Sequence, residues 1–205
     1  INPDTALEAI IRGELELEVG KDLSKSAEHF ERALRVDPSN IEALSFLGRI
    51  QYENANYPKG IELLKRLLSV ESGGTSIAPL LKGLHYLSLC YGKAFDPQSQ
   101  TECLQKLVSY GIAEKDKIVN DPATVELVEH SMLLTPALFL KMGDIPSCVR
   151  SFRSSVLSTF PISRNVRQKL FRALGELFLF KACEEQYPPL DSKLRTKLDA
   201  YVPTN

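Results

Sequence analysis

The sequence predicts an all-α fold, a right-handed α-solenoid of helical hairpins in which each hairpin packs on its neighbours. Three observations predict it. Apolar residues recur with a helical period along most of the 205 residues. The pattern of large and small residues returns after 34 positions. No segment shows the alternation of apolar and polar residues that is typical of a half-buried strand.

The 34-residue period is clearest in the first third of the chain. Phe30 returns as Leu64, and the pair Ala33-Leu34 returns as Leu67-Leu68. This period is that of the tetratricopeptide repeat, a unit of two helices. Small residues at its eighth and twentieth positions let the two helices approach, and a large residue at the twenty-fourth fills the space between them. Residues 41–74 fit this pattern best.

We expect a single helical-repeat domain over residues 1–205, and the start at Ile1 indicates a segment of a longer chain. Gly13, Gly20 and a short insertion disturb the first helix of the first unit. The third unit is irregular, because it breaks at Phe95-Asp96-Pro97 in a loop longer than the repeat allows, and the fifth is partial. The five expected units lie near residues 7–40, 41–74, 79–120, 125–162 and 163–201.

Helix starts are marked by residues that cap free backbone N–H groups. Ser39-Asn40, Asp121-Pro122 and Asp144 stand at such starts, and residues 111–120 read as a short helix or a polar loop. The ten expected helices lie near residues 5–19, 22–36, 39–54, 57–70, 77–93, 98–110, 123–142, 144–159, 164–186 and 191–201.

Composition excludes several classes of function. The chain has 25 basic and 26 acidic residues, a net charge of -1, so no overall field attracts nucleic acid. No apolar run approaches about 18 residues, so the sequence excludes a membrane span. The four cysteines, Cys90, Cys103, Cys148 and Cys183, are too far apart for a metal site. We expect them to be reduced and mostly buried, as in a cytosolic protein.

No constellation of catalytic residues is apparent, so the sequence predicts no enzyme, no cofactor and no metal. His29, His85 and His130 fall in separate hairpins, without metal-ligand spacing. Glu14, Glu16 and Glu18 are spaced by two, which sends neighbours to different faces of a helix. We interpret these three carboxylates as a solvated face.

Charge is distributed unevenly along the chain. Residues 4–37 carry nine acidic and five basic residues. A later stretch is basic and contains no acidic residue, which suits an acidic partner protein or an anionic membrane surface. A solvated solenoid face is the alternative. The six residues of this basic stretch, the candidate partner-binding residues, are Arg150, Arg153, Arg164, Arg167, Lys169 and Arg172.

One known mode of tetratricopeptide binding can be tested against the register. Cochaperone repeats hold a peptide carboxylate with Lys and Asn from successive first helices. The corresponding positions here hold Ile11, Leu15 and Phe46. Shifting the register by one residue gives Arg12 and Glu16, and Glu16 repels a carboxylate. The sequence therefore argues against a carboxylate clamp.

The order of segments is more specific than a generic repeat. A helix that contains residues 84–91 is followed by a long insertion, and then by residues 133–144, 151–157 and 167–179. Together with residues 47–52, this succession resembles the N-terminal region of the tetratricopeptide repeat domain 7 family and of its plant no-pollen-germination relatives. The plant pattern often has an aromatic residue where this chain continues from Leu157 to Ile162.

The resemblance implies a noncatalytic scaffold that helps to hold a phosphatidylinositol 4-kinase complex at the plasma membrane. Its implied partners are the lipid-kinase catalytic subunit, a palmitoylated membrane-anchor subunit and a hyccin-like subunit. The implied location is the cytoplasm, with peripheral recruitment to the plasma membrane. The plant relatives imply an alternative, a calmodulin-binding adaptor, and the basic and apolar segment Arg164–Lys181 is the best calmodulin target in the sequence.

Overall fold

The computed structural model describes residues 3–70 and 77–176, and these residues confirm the all-α class. No strand occurs among them. The chain contains two compact units, Ile1–Leu107 and Val108–Asn205, which divide within α6. The described α-helices are α1 (Pro3–Leu15), α2 (Leu23–Val36), α3 (Ile41–Glu53), α4 (Tyr57–Ser69), α5 (Ile77–Lys93), α6 (Pro97–Ala113), α7 (Lys115–Ile118), α8 (Pro122–Lys141), α9 (Ile145–Leu157) and α10 (Arg164–Glu176).

The same turn separates the two helices of each of the first four hairpins. It places one residue in the left-handed conformation and follows it with Asp or Asn at the start of the second helix. The four turns are Lys21-Asp22, Ala55-Asn56, Phe95-Asp96 and Gly143-Asp144. Nine residues after each left-handed residue stands a buried large side chain, which packs the second helix onto the first: Phe30, Leu64, Leu104 and Phe152.

The position of the shared turn corrects the expectation of a long loop in the third repeat unit. Phe95-Asp96-Pro97 is not a long loop, because α5 ends at Lys93 and α6 begins at Pro97, the same spacing that separates α3 from α4. The 34-residue period fails in the third repeat unit because α5 has 17 residues where α3 has 13. In addition, α5 begins eight residues after the end of α4, whereas α3 begins five residues after the end of α2.

Small residues allow close approach of the helices, as predicted. A Cβ added at Gly48 would lie 2.3 Å from the Leu64 side chain. In the first hairpin, a Cβ at Gly13 would lie 2.8 Å from the Phe30 ring, and the buried Ser26 hydroxyl donates to the Gly13 carbonyl at 2.7 Å. Gly13 and Gly48 therefore occupy equivalent places.

A π-helical turn, Glu16–Gly20, explains the insertion expected in the first repeat unit, near residues 7–40. Gly13 precedes the left-handed Lys21 by eight residues, whereas Gly48 precedes Ala55 by seven. The wider turn absorbs the extra residue and keeps Leu17 buried. The helix expected over residues 5–19 is therefore α1 followed by this turn.

The core of the first compact unit, Ile1–Leu107, joins three helices. Ile10 of α1, Phe30 of α2 and Leu47 of α3 belong to one buried cluster. The Phe30 and Phe46 rings stack with centroids 4.8 Å apart and planes inclined by 8°. These contacts hold α1 and α3 in fixed positions.

In the second compact unit, Val108–Asn205, α8 packs against α9. Val128, Met132, Phe152 and Leu170 are buried there. Contrary to the expectation from uninterrupted runs, α8 is by length and mean hydropathy the one described helix that qualifies as a candidate membrane span. Of that apolar window, 44% is buried inside the protein.

Other details follow the sequence closely. Asn40, Asp121 and Asp144 cap their helices by accepting a backbone hydrogen bond three residues on. Residues 111–120 contain the end of α6 and the short α7. Cys90, Cys103 and Cys148 are buried. Residues expected to form helix 191–201, the end of helix 164–186, and Cys183 lie outside the described residues.

Candidate protein-interaction surfaces

The first helices of three successive hairpins share a polar and aromatic surface. Arg49 of α3 is its centre, and its guanidinium group contacts two carboxylates. Arg49 Nε lies 2.8 Å from Glu53 Oε1, and another guanidinium nitrogen lies 3.0 Å from Glu18 Oε1 on the π-helical turn. We call this surface the first-helix face, and its residues are Glu14, Glu18, Glu42, Arg49, Tyr52, Glu53, Lys82 and Tyr86.

Tyrosine rings extend the first-helix face from α3 to α5. The Tyr52 and Tyr86 rings meet with centroids 5.9 Å apart and planes inclined by 53°. The Tyr57 ring also lies near Tyr52, with centroids 5.9 Å apart. Burial raises the pKa of Tyr86, and the nearby charge of Arg49 opposes this shift. Tyr52 and Tyr86 are both half-buried, so each ring is partly exposed to solvent.

The first-helix face contains two partly buried charged groups, Arg49 and Glu14. Burial disfavours the charge of Arg49, but hydrogen bonds with Glu53 and Glu18 raise the pKa of the guanidinium group above its usual value. Burial, followed by the charge of Glu42, raises the pKa of Glu14, and Lys82 opposes this shift. A fixed cation therefore lies among carboxylates in a partly desolvated setting.

The contacts of Glu14 and Glu18 correct the interpretation of the N-terminal carboxylates. Glu14 is half-buried and interacts with charges on α3 and α5, and Glu18 pairs with Arg49. They are not merely a solvated face. The reason is that residues of α1, α2 and α3 share one buried cluster, and this stacking of the hairpins brings Arg49 within reach of the π-helical turn.

The chemistry of the first-helix face suits binding rather than covalent catalysis. Its guanidinium, carboxylate and phenol groups donate and accept hydrogen bonds, and its aromatic edges offer apolar contact. The described residues contain no group of three or more His, Cys, Asp or Glu side chains that could hold a metal ion. Burial raises the pKa of Cys90 and of Cys103 to about 11, so neither thiol is a ready nucleophile.

The three positions tested for a carboxylate clamp have different surroundings. Phe46 stacks on Phe30 at the edge of the core. Ile11 and Leu15 are exposed on α1. None of these side chains contributes a cation.

The second unit presents the basic stretch on two helices. Arg150 and Arg153 lie on α9, and the other four residues lie on α10. Arg167 is half-buried and the remaining five are exposed. Arg150 donates to the Ser147 hydroxyl at 2.8 Å. Arg153, Arg164, Arg167 and Lys169 form no salt bridge with any residue in the described parts of the chain.

A buried carboxylate positions the basic end of α10. Glu129 of α8 accepts hydrogen bonds from the backbone N–H of Ser163 and, at 3.1 Å, from its hydroxyl. Ser163 immediately precedes α10. This contact fixes where Arg164 and Arg167 emerge from the second unit.

Sequence reasoning missed Arg49, Tyr52 and Tyr86. A local signal was present, because Arg49 and Glu53 are four residues apart on one helix. The contact of Arg49 with Glu18 and that of Tyr52 with Tyr86 depend on the packing of three hairpins. The turn register makes Tyr86 the counterpart of Phe46, which a strict 34-residue period does not reveal.

No protein-family model matches the chain, and no curated protein matches it. Solved structures are similar at low identity. A putative kinesin light chain from Podosopora anserina with nearly identical TPR-like repeats is 16% identical, with a TM-score of 0.58 over 98% of this chain and 96% of that chain.

Two further solved structures are similar. MamA is 15% identical, with a TM-score of 0.57 over 89% of this chain and 87% of that chain. YrrB, a TPR protein with an unusual peptide-binding site, is 16% identical, with a TM-score of 0.56 over 96% of this chain and 93% of that chain. These likenesses show that the chain has the fold of tetratricopeptide repeats.

Proposed function

We propose that the chain is a noncatalytic scaffold that binds other proteins through its first-helix face. The observation that carries the proposal is the contact of Arg49 with Glu18 together with that of Tyr52 with Tyr86. These contacts join three first helices into one surface, which a single hairpin lacks. Tyr and Arg side chains are the groups most enriched among the residues that dominate binding energy in protein interfaces.

The fold supports this proposal. YrrB, which has the same fold, is described as having a peptide-binding site. At 16% identity the position of that site does not transfer, so the proposal depends on the residues of this chain. Arg49 is held by two carboxylates, which reduces the side-chain entropy that binding must remove.

The more specific proposal comes from the family resemblance. The chain acts within a phosphatidylinositol 4-kinase complex at the plasma membrane, with a lipid-kinase catalytic subunit, a palmitoylated anchor subunit and a hyccin-like subunit as its partners. The exposed residues of the basic stretch support recruitment, because they offer cations to an acidic partner or to anionic lipid. The scaffold is then cytoplasmic and peripherally bound to the membrane.

Calmodulin binding remains the alternative prediction. Leu170, on the segment predicted as the target, is fully buried within the second unit. Calmodulin binds the apolar face of an amphipathic helix, so α10 would have to detach before it could bind. The burial of Leu170 therefore favours the scaffold over the calmodulin target.

Reconstitution tests the proposal. The purified chain is mixed with the lipid-kinase catalytic, anchor and hyccin-like subunits, and complexes are separated by size-exclusion chromatography. We expect co-elution with at least one subunit, and we expect Arg49→Glu to abolish it. Lys106→Glu, at an exposed site on α6, changes the charge equally and is expected to leave co-elution unchanged.

Co-elution of none of the three subunits would refute the specific complex. Retention of the complex by Arg49→Glu would refute the role of the first-helix face. To test the basic stretch separately, the double variant Arg153→Glu/Lys169→Glu is compared with Lys93→Glu/Lys106→Glu on vesicles that contain phosphatidylserine. Only the first variant is expected to lose vesicle binding, and equal loss by both would refute a specific role of the stretch.

A further inference from the structure

The N-terminal helix exposes a row of large apolar side chains. Leu7, Ile11 and Leu15 follow one another at four-residue intervals on α1, and Val19 continues the row on the π-helical turn. Their exposed fractions are 55%, 54%, 59% and 74%. We call these four residues the apolar stripe. Contiguous exposed apolar surface of this kind marks an interaction site more often than a random surface.

The apolar stripe is separate from the face that packs α1 into the first unit. Ala6, Ala9 and Ile10 are buried against the core, and they lie on the other side of the helix from Ile11 and Leu15. The apolar stripe therefore contributes little to the core of the unit. Its four side chains are available to an external partner.

A cleft continues the apolar stripe beyond α1. It has a volume of about 530 Å³, and Leu7 and Ile10 line one wall. Val36 and Pro38, from the end of α2 and the turn that follows, line the other. A partner side chain that enters this cleft gains apolar contact on two sides.

Acidic groups border the apolar stripe. Helical spacing places Glu8 along one edge and Glu14 along the other. Asp37 and Glu42 stand at the cleft. The one base on α1, Arg12, is paired with Glu8 at 2.7 Å. The surroundings of the apolar stripe are therefore negatively charged.

We propose that the apolar stripe docks a basic amphipathic helix of a partner protein. The partner's apolar residues pack on Leu7, Ile11 and Leu15, and its Lys or Arg residues lie against the flanking carboxylates. This arrangement is the helix-in-groove mode of recognition. A second copy placed stripe to stripe brings carboxylates against carboxylates, and an anionic membrane repels the same charges. Glu14 and Glu42 also belong to the first-helix face, but the four residues of the apolar stripe do not.

A pair of model peptides tests the proposal. One is an amphipathic Leu/Lys helix of about 18 residues, long enough to cover the stripe at about 1.5 Å per residue. The other has the same leucines with Glu in place of Lys. Fluorescence anisotropy measures their binding to the full chain. We expect the Leu/Lys peptide to bind and the Leu/Glu peptide not to bind.

Substitutions locate the binding. Ile11→Ser/Leu15→Ser is expected to weaken binding of the Leu/Lys peptide about tenfold or more, since each leucine or isoleucine contributes burial of its side chain. Val119→Ser, which changes another exposed apolar residue, and Tyr86→Ala, on the first-helix face, are expected to leave binding unchanged. A melting temperature equal to that of the wild type verifies that each variant is folded.

Several results would overturn the inference. They are equal binding of both peptides, binding of neither, or binding that Ile11→Ser/Leu15→Ser does not weaken. Dimerisation of the wild type that is lost in Ile11→Ser/Leu15→Ser would assign the stripe to a second copy. Binding to phosphatidylserine vesicles that is lost in the same variant would assign it to lipid.

Discussion

The guanidinium group of Arg49 joins Glu18, 31 residues earlier, to Glu53, one helical turn later, at distances of 3.0 Å and 2.8 Å. The side chain of Arg49 is only 29% exposed. The pair with Glu18 links the end of the first helix to the second hairpin, so it reports directly on the stacking of hairpins.

The Arg49–Glu18 pair is expected to contribute modestly to stability. A double-mutant cycle with Glu18→Gln and Arg49→Met should give a coupling free energy of about 0.2–1 kcal/mol, because Glu18 is largely exposed. Urea denaturation of the four proteins measures it. The Lys59–Glu31 pair, at 3.9 Å, is the reference and should couple less. A larger coupling for Lys59–Glu31 would contradict the geometry.

Gly48→Ala is expected to lower the free energy of unfolding by about 1–3 kcal/mol, since the new methyl group overlaps the buried Leu64 side chain. Gly92→Ala is the matched control. Its methyl group meets only the end of the flexible Gln100 side chain, so the gain in helix propensity should leave it neutral or stabilising. Equal losses for the two variants, measured by urea denaturation, would refute the role of Gly48.

The turns predict opposite effects for two reciprocal changes. Gly143 has a φ of 76° and no neighbour that a Cβ would touch, so Gly143→Ala should lower the free energy of unfolding by about 1 kcal/mol through backbone strain alone. Ala55 has a φ of 57°, so Ala55→Gly should raise it by a similar amount. Chemical denaturation measures both. Changes of the same sign would show that the turns do not share one conformation.

Acid should weaken the helix caps. Hydrogen bonds donated by Ser147 lower the pKa of Asp144 from its ordinary value, and hydrogen bonds donated by Lys25 and Ser99 do the same for Asp22 and Asp96. Because these pKa values are lower in the folded state, the stabilisation is present above about pH 4 and is lost as the pH falls through the folded pKa.

Asp144→Asn keeps the capping oxygen but does not titrate, so it should lose less stability between pH 7 and pH 3 than the wild type. Asp144→Ala should be destabilised at neutral pH already, since it lacks the cap. Thermal unfolding at the two pH values distinguishes the variants. An acid sensitivity of Asp144→Asn equal to that of the wild type would contradict a role for the Asp144 carboxylate.

The fold was predictable because its signals are local. Capping residues such as Asn40 and small residues such as Gly48 act within one hairpin, and their positions are visible in the sequence. The phase of the third unit was not predictable from the 34-residue period. The longer α5 and the longer connection before it shift the phase, and only the shared turn at Ala55 and Phe95 restores the register.

The candidate sites divide in the same way. The basic stretch is contiguous in sequence and was found there, although its function is still a proposal. The first-helix face requires Glu18, Arg49 and Tyr86 to meet from three hairpins, and no local pattern encodes that meeting. The apolar stripe was present in the spacing of Leu7, Ile11 and Leu15, but only the packing of α1 shows which face is exposed.

The most direct test of the central claim is site-specific photocrosslinking. Tyr86 is replaced by the photoreactive residue p-benzoylphenylalanine, and the chain is irradiated with the three proposed partner subunits. The first-helix face predicts a crosslink from position 86 to one of them. The control places the same residue at Phe95, which is 92% exposed in the same unit but lies outside the face. Crosslinks from position 95 with none from position 86 would contradict binding through the first-helix face.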